Sequence, residues 1–203
     1  MTVLRRVDPE GFVQALHRVV EIYGAAMRPP ADQMAGRAAI MRAHAAYPGF
    51  TCLFAETGDG SVVGFGYGFH GLPGQWWHDV VRHALADRNG HRAAEEWFGD
   101  AFEIAEIHVH PDHQSRGIGR RLMHALCAGR PERTAVLSTL DQPTAARHLY
   151  HSLGFVDLIS GFTFPGGYEP YAILGRRLPL PGPGTREDAP ERGDGEDVRS
   201  GAH

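Results

Sequence analysis

The sequence predicts a single α/β or α+β domain, because strand-like and helix-like segments are mixed along most of the chain. The chain has 203 residues, of which 42% are hydrophobic, and this is enough for one domain with a sizeable core. Its apolar side chains recur either at every second residue or at helical spacing, and no internal repeat is visible. No apolar run approaches the roughly 18 residues that a membrane-spanning helix needs.

The first half of the chain predicts two helices between a first strand and a β-hairpin. Asp8 and Pro9 mark the start of the first helix, as an N-cap followed by a proline at the first helical position. The predicted elements are, in order, a strand at 2–7, a helix from Asp8 through Tyr23, a helix at 30–46, and hairpin strands at 50–56 and 61–70 around a turn at 57–60.

The second hairpin strand has one aromatic face and one bare face. Three glycines alternate in it with three aromatic residues: Gly64, Phe65, Gly66, Tyr67, Gly68 and Phe69. A bare strand face indicates the close approach of a ligand or of another backbone. Tight packing of a helix over the glycines is the alternative, and the sequence leaves both open.

The second half of the chain alternates strands and helices after a long connection at 71–101. This connection is partly helical and carries Trp76, Trp77, Trp97 and Phe98. Long aromatic-rich insertions commonly shape substrate pockets, so we expect it to contact the substrate, with plain local core as the alternative. The remaining predicted elements are strands at 102–110, 134–140, 155–163 and 168–174, and helices at 117–128 and 143–153.

The most informative stretch is the loop that follows the strand stopped by Pro111. The loop carries Gly117 and Gly119 and leads directly into a helical pattern. Such a loop lets successive N–H groups point at an anion, and the helix N-terminus adds roughly half a positive charge. Full charges come from three arginines: Arg116, Arg120 and Arg121. The stretch therefore predicts a site for a phosphorylated cofactor.

Two common phosphate-binding motifs do not fit this loop. A Walker loop needs a lysine that reaches the phosphates, and all 20 basic residues of this chain are arginine. A dinucleotide fingerprint needs a third glycine, and Leu122 stands at that position.

What fits is the pattern Gln-x-x-Gly-x-Gly at 114–119, after a strand that ends in Val-x-Pro. It resembles the pyrophosphate loop of the GNAT superfamily of N-acetyltransferases, which use acetyl-CoA. A second stretch, at 146–155, resembles the late Ala-x-x-Leu-Tyr-x-x-x-Gly-Phe helix and turn of that family. The resemblance implies one GNAT-like domain over 1–178, with a mixed, mostly antiparallel central sheet flanked by helices.

The resemblance also implies that acetyl-CoA is the co-substrate. In the family, backbone groups of the strand before the loop pair with the pantetheine arm, and here these belong to Ile107, His108 and Val109. A backbone N–H there, that of Val109, would polarise the thioester carbonyl. The implied binding residues of the loop and helix start are Gln114, Ser115, Arg116, Gly117, Ile118, Gly119 and Arg120.

Tyr150 aligns with the tyrosine that protonates the departing thiolate in the family. A phenol with a pKa near 10 is suited to donate to a thiolate of pKa about 8.5. Packing of the helix on the sheet is the alternative role for this side chain. The family usually carries Asn where this chain has Pro143, and three neighbours are candidates for its cofactor contact: Asp141, Gln142 and Thr144.

The general base is expected on the strand that enters the site. Glu103 and Glu106 are three positions apart, and because this spacing is odd, alternation predicts that they lie on opposite faces. Only one of them can then face the acceptor, and we favour Glu106, with a solvated strand residue as the alternative. His108 points with Glu106 and is the next candidate, because an imidazole can gain and lose a proton near neutral pH.

Other clusters predict no further chemistry. His108, His110 and His113 are close in sequence, with only Asp112 to complete a ligand set, so we expect no metal. Cys52 and Cys127 lack metal or redox spacing and are expected to be reduced core residues.

The net charge of −4 belongs mostly to the end of the chain. Six acidic residues and three arginines follow Leu178, and 179–203 is rich in Pro, Gly and charge, which predicts a disordered tail. The body then has no basic face for nucleic acid. The absence of an apolar run behind the first arginines predicts a cytoplasmic protein without a secretory signal, and we expect no membrane partner.

Together these features predict an N-acetyltransferase that acts by direct transfer within a ternary complex. The acceptor is expected to be a primary amine of a small molecule, with a protein terminus or side chain as the alternative. Two further alternatives stay open: a non-catalytic module that binds acyl-CoA, and an acyltransferase for a longer acyl group. A homodimer is compatible with the sequence.

Overall fold

The computed structural model describes residues 2–180, apart from the side chains of 31–33 and 35. Seven strands form one sheet in the order β1-β2-β3-β4-β5-β7-β6, and all neighbours are antiparallel except β4 and β5. This confirms the expected mixed, mostly antiparallel sheet. The strands are β1 (Val3–Val7), β2 (Thr51–Glu56), β3 (Val62–His70), β4 (Ala101–Val109), β5 (Thr134–Leu140), β6 (Val156–Thr163) and β7 (Pro170–Arg177).

Helices cover both faces of this sheet. They are α1 (Pro9–Gln14), α2 (Leu16–Met27), α3 (Ala31–His44), α4 (Trp76–Asn89), α5 (His91–Phe98), α6 (Ile118–Cys127) and α7 (Ala145–Ser152). Helices α6 and α7 pack on one face, which we call the α6 face, around Leu122 and Leu126. On the opposite face, the α3 face, α1–α3 lie over β2 and β3, while α4 and α5 lie over β5–β7.

Helix starts follow the local chemistry of the chain, with two corrections to the expected bounds. The Asp8 carboxylate accepts a hydrogen bond of 2.7 Å from the Gly11 N–H, as an N-cap should. The single helix expected after it is interrupted at Ala15, whose ψ of 6° leaves the helical range. The last helix begins after Thr144, whose hydroxyl caps the Arg147 N–H at 3.1 Å, and not at Pro143.

The bare face of β3 is covered by helix packing. A Cβ on Gly66 would lie 3.0 Å from Cδ1 of Leu126 in α6, and one on Gly68 would lie 2.4 Å from the carbonyl oxygen of Glu103. The glycines therefore allow close approach of α6 and of β4. Of the two alternatives for this face, the structure supports packing.

The connection at 71–101 is helical over most of its length, as α4 and α5. Its apolar residues Val81, Leu85 and Phe98 are buried against β5 and β7, which is the local-core alternative. The exception is Trp76, which is 58% exposed and lies 5.7 Å from the ring of Phe164. Contact with a substrate remains a prediction for Trp76.

Within residues 2–180, no helix combines the length and apolar character that crossing a membrane requires. The predicted disordered tail falls, from residue 181 onward, outside the described residues.

Both cysteines are buried, free thiols in the core. Burial raises the pKa of Cys127 to about 12 and raises that of Cys52 further. Because a thiolate is the reactive species, we expect neither thiol to react with an aromatic disulfide reagent at pH 8, and both to react after unfolding in guanidinium. A rapid reaction in the native protein would contradict this burial.

Candidate active site

The loop before α6 presents a row of backbone donors. Ser115 and Gly117 have φ angles of 60° and 74°, and the first backbone bond of the helix joins the Arg121 N–H to the Gly117 carbonyl at 3.1 Å. Within residues 2–180, no acceptor is recorded for the N–H groups of 115–120. Successive free N–H groups at a helix N-terminus form an anion-binding concavity. We call 115–120 the amide cradle.

The side chains of the loop hold it in place. Gln114 donates from Nε2 to the Val109 carbonyl at 2.9 Å, which anchors the loop to the end of β4. Arg116 donates to the Asp112 carbonyl at 3.0 Å. Its guanidinium thus lies beside the amide cradle.

Two further arginines on α6 differ in what they can contribute. Arg120 donates to the Ser152 hydroxyl at 2.7 Å and remains exposed at the first turn of the helix. Arg121 donates instead to Oγ1 and the carbonyl of Thr2, at 2.8 Å and 3.0 Å. The prediction that Arg121 adds its charge to the loop is corrected, because this side chain is bound to the start of the chain.

A gap opens between β4 and β5 beside the amide cradle. The two strands pair only over 101–103 and 134–136, and then part. The His110 N–H donates to the Val63 carbonyl at 2.8 Å, and Val109 lies opposite Gly64. Since N–H directions alternate along an antiparallel strand, the N–H groups of Ile107 and Val109 point away from β3 and into the gap.

A β-bulge in β4 corrects the expected placement of the two glutamates. Ile104 is opposite Gly68 and Glu106 is opposite Tyr67, so that Ala105 is the extra residue. One extra residue shifts the alternation by one position, and Glu103 and Glu106 therefore lie on the same face of the sheet. This is the α3 face, and His108 shares it, as expected for His108 and Glu106.

Glu106 lies at the centre of a hydrogen-bonded cluster on the α3 face. Its Oε1 accepts from Nη1 of Arg37 at 3.1 Å, and its Oε2 lies 2.5 Å from Nε2 of His108. The carboxylate is only 9% exposed. The Arg37 guanidinium lies 4.8 Å above the ring of Tyr23, and the Tyr23 ring meets that of His108 edge-on at 5.1 Å. We call these four residues the Glu106 cluster.

Glu103 has a different environment despite sharing the face. It is buried beneath α4, where its Oε1 lies 2.7 Å from Nδ1 of His78. Burial raises the pKa of Glu103, while the hydrogen bond from His78 opposes that shift. The side chains of Glu103 and His78 are at most 3% exposed, so Glu103 cannot reach an acceptor bound in the gap.

Tyr150 approaches the gap from the α6 face. Its ring packs 6.0 Å from that of Phe155, within the core, and no hydrogen bond from its hydroxyl is recorded among residues 2–180. No fully buried side-chain polar atom of the described residues lacks a partner, so this hydroxyl reaches solvent. Burial, followed by the charge of Glu106, raises the pKa of Tyr150 to about 12. The phenol therefore stays protonated at any physiological pH.

The three candidates near Pro143 are not equally free. Asp141 accepts from Arg147 and, at 2.6 Å, from the Gly161 N–H. Thr144 caps α7. Gln142 is exposed, and no hydrogen bond of its side chain is recorded in the described part of the chain. Only Gln142 can therefore replace the missing Asn without losing another contact.

The three histidines that are close in sequence, His108, His110 and His113, have different surroundings in the structure. The rings of His110 and His113 are 6.3 Å apart on the turn before the amide cradle, while His108 belongs to the Glu106 cluster. Within residues 2–180, no three His, Cys, Asp or Glu side chains are grouped closely enough to hold a metal ion.

Sequence reasoning missed three residues of this site: Tyr23 and Arg37 in the Glu106 cluster, and Tyr171 near it. Burial raises the pKa of Tyr171, and Arg37, Tyr23 and Glu106 are all close enough to influence it. Tyr171 lies opposite Leu140 on β7, across the gap from Glu106. Tyr23 and Arg37 lie in ordinary helical sequence, so no local signal could have identified them.

Comparison with known proteins places the chain in a family. Residues 48–157 match the model of the acetyltransferase (GNAT) domain. A GCN5-like protein acetyltransferase of Mycobacterium tuberculosis is 40% identical over 131 residues, which cover 62% of this chain and 63% of that protein. The chain therefore matches less than two thirds of the length of this curated relative.

Solved structures share the fold. The ribosomal-protein-S18-alanine N-acetyltransferase of Escherichia coli is 19% identical and superposes with a TM-score of 0.60, over 92% of this chain and 100% of that chain. The yncA protein of Salmonella typhimurium, solved with acetyl-CoA, is 20% identical with a TM-score of 0.58, over 95% and 99%. Likeness at these identities concerns the fold alone. With the family model matching more than half of its length, this chain belongs to the GNAT acetyltransferase family.

Proposed function

We propose that this protein is an N-acetyltransferase that transfers the acetyl group of acetyl-CoA to a primary amine of a small molecule, by direct attack in a ternary complex. The observation that carries the proposal is the amide cradle beside a gap in the sheet, with Tyr150 on one face of that gap and Glu106 on the other. Residues 1–178 are proposed as the catalytic domain.

The residues present fit the co-substrate. Free N–H groups over 115–120 suit a diphosphate, and the side chains of Arg116 and Arg120 add positive charge beside them. The backbone of Ile107 and Val109 would pair with the pantetheine amides, and the Val109 N–H would polarise the thioester carbonyl. Acetyl-CoA, when bound, supplies the activated acyl carbon.

Glu106 and His108 are proposed to remove the proton of the acceptor ammonium. The 2.5 Å contact engages Nε2 of His108, while no partner of its Nδ1 is recorded within residues 2–180. Nδ1 is therefore available to accept a proton, and Glu106 stabilises the resulting imidazolium. As the C–N bond forms and the C–S bond breaks, Tyr150 donates its proton to the departing thiolate. The second proton that the attacking nitrogen loses as the amide forms passes to solvent, and the phenol regains a proton from solvent.

A protein amine is the second candidate acceptor. The 40% identical relative is named a protein acetyltransferase, which favours a lysine side chain or a chain terminus. The two candidate acceptors differ in the surface they need. A protein needs a docking surface around the site, while a small amine needs only the gap between β4 and β5.

The test measures thiol release from acetyl-CoA by the full chain, with a panel of small amines and with unstructured lysine-containing peptides. The buried cysteines contribute no background to this assay. Release with small amines supports the proposal, and release with peptides alone supports the second candidate. If CoA stabilises the protein but no acceptor yields thiol, the chain is a non-catalytic binding module. Propionyl- and succinyl-CoA in the same assay test a longer acyl group.

The two glutamates of β4 provide a matched pair of variants. Glu106→Gln is expected to lower kcat/KM at pH 7 by about 10- to 100-fold, less than the roughly 10²- to 10⁴-fold usual for loss of a general base, because His108 remains. Glu103→Gln keeps a hydrogen bond to His78 and should change kcat/KM by less than about threefold, with the folded state retained. A larger loss of kcat/KM in Glu103→Gln than in Glu106→Gln would show that Glu106 is the wrong residue for the base.

A further inference from the structure

The Glu106 cluster holds opposite charges side by side at the acceptor end of the gap. Arg37 is fixed by Glu106 at 3.1 Å and by the face of Tyr23 at 4.8 Å. Its side chain is nevertheless 36% exposed, so that Arg37 is open to solvent while Glu106 beside it is almost buried. A guanidinium has five N–H donors, and one bond to Glu106 leaves most of them available to a ligand.

The charge balance of this pair restricts the acceptor. An acceptor with an ammonium alone competes with Arg37 for Glu106, and leaves the partly buried guanidinium without its full partner. A polyamine brings a second cation toward Arg37. An acceptor that also carries a carboxylate exchanges one internal ion pair for two intermolecular ones, and no charge is left without a partner.

We propose, on the basis of the proposed function, that the acceptor is a free α-amino acid whose carboxylate is bound by Arg37 while its ammonium faces Glu106 and His108. The two charges of an α-amino acid are adjacent, with the nitrogen roughly 2.5 Å from the carboxyl carbon, and the charges of Arg37 and Glu106 are adjacent too, with 3.1 Å between Nη1 and Oε1. One small zwitterion can therefore meet both side chains at once.

The neighbouring surface indicates the kind of amino-acid side chain. Tyr171 lies near the Glu106 cluster, its ring is 5.1 Å from that of Phe164, and Phe164 is 5.7 Å from the exposed ring of Trp76. This row of aromatic rings leads from the charged pair to solvent. Rings of this kind favour contact with an apolar or aromatic side chain.

Phenylalanine, phenylalaninamide and phenethylamine form a matched series. The carboxylate is present in the first, replaced by a neutral amide in the second and removed in the third. For the wild-type chain with acetyl-CoA we expect kcat/KM for phenylalanine to exceed that for phenethylamine by at least about tenfold, the value of one charge-assisted contact. Arg37→Gln should bring this ratio close to one, and Arg37→Lys should keep part of it. Arg42→Gln, an exposed position of the same helix, should leave the ratio unchanged.

A merely structural role for Arg37 would lower the melting temperature of Arg37→Gln and slow all three amines alike, so an unchanged ratio overturns the proposal. Equal rates with phenethylamine and phenylalanine in the wild type also overturn it, and leave the acetyltransferase proposal standing. If no amine releases thiol, calorimetry with CoA present decides: phenylalanine binding that Arg37→Gln abolishes supports the site, and no such binding overturns it.

Discussion

Replacing Tyr150 by phenylalanine is expected to lower kcat for acetyl transfer by about 10²- to 10³-fold, the usual contribution of a positioned acid. The change removes one oxygen and keeps the ring that packs against Phe155, so the free energy of unfolding should change little. Affinity for CoA should also be retained, because the amide cradle is untouched. Single-turnover measurements of thiol release, together with calorimetric titration of CoA, separate these effects.

The pH profile gives an independent check on Tyr150. Burial and the charge of Glu106 raise its pKa from the ordinary value near 10 to about 12, so the donor stays protonated up to at least pH 10. Wild-type kcat should therefore show no fall from loss of this proton between pH 7 and 10. Tyr168→Phe, at an exposed position, is the control and should behave as wild type. An unchanged kcat in Tyr150→Phe would show that Tyr150 only packs the helix on the sheet.

Replacing Gly117 by aspartate is expected to abolish measurable CoA binding while the protein still folds. Gly117 has a φ of 74°, and a Cβ there would meet no atom within 4 Å, so the substitution fits sterically. Left-handed backbone costs a non-glycine residue about 1–2 kcal/mol, and Asp tolerates it better than most. The new carboxylate would repel a diphosphate by roughly 1–4 kcal/mol for each phosphate charge near it, which lowers affinity by about 10²-fold or more.

Gly117→Asn is the matched control for this variant. It has the same shape and backbone strain as aspartate but no charge, so calorimetry should still detect CoA with affinity within about tenfold of wild type. Thermal unfolding of both variants should be similar. If Gly117→Asp binds CoA as tightly as Gly117→Asn, negative charge at this position is harmless and the diphosphate lies elsewhere.

Much of the fold could be predicted from local patterns. Strand β5 has the predicted bounds, and the hairpin of β2 and β3 differs from expectation by one residue at its starts. These elements are specified by alternation and by turn residues, which are local properties. The loop at 114–119 could also be predicted from a local pattern, because glycines followed by a helix are enough to indicate an anion site.

The rest of the site depends on tertiary structure. Alternation placed Glu103 and Glu106 on opposite faces, because a bulge at Ala105 leaves no mark in a pattern of period two. Arg37 reaches Glu106 from a helix 69 residues earlier in the chain, and nothing in α3 distinguishes it from the exposed Arg42. Its role as a partner becomes visible only once the helix has packed on the sheet.

A crystal structure of the chain with acetyl-CoA tests the central claim most directly. It should place diphosphate oxygens within about 2.7–3.2 Å of N–H groups of residues 115–120, with the thioester in the gap between β4 and β5 and near the Tyr150 hydroxyl. A nucleotide bound instead in the open pocket between Asp141 and His151, with the amides of 115–120 facing only water, would contradict the account.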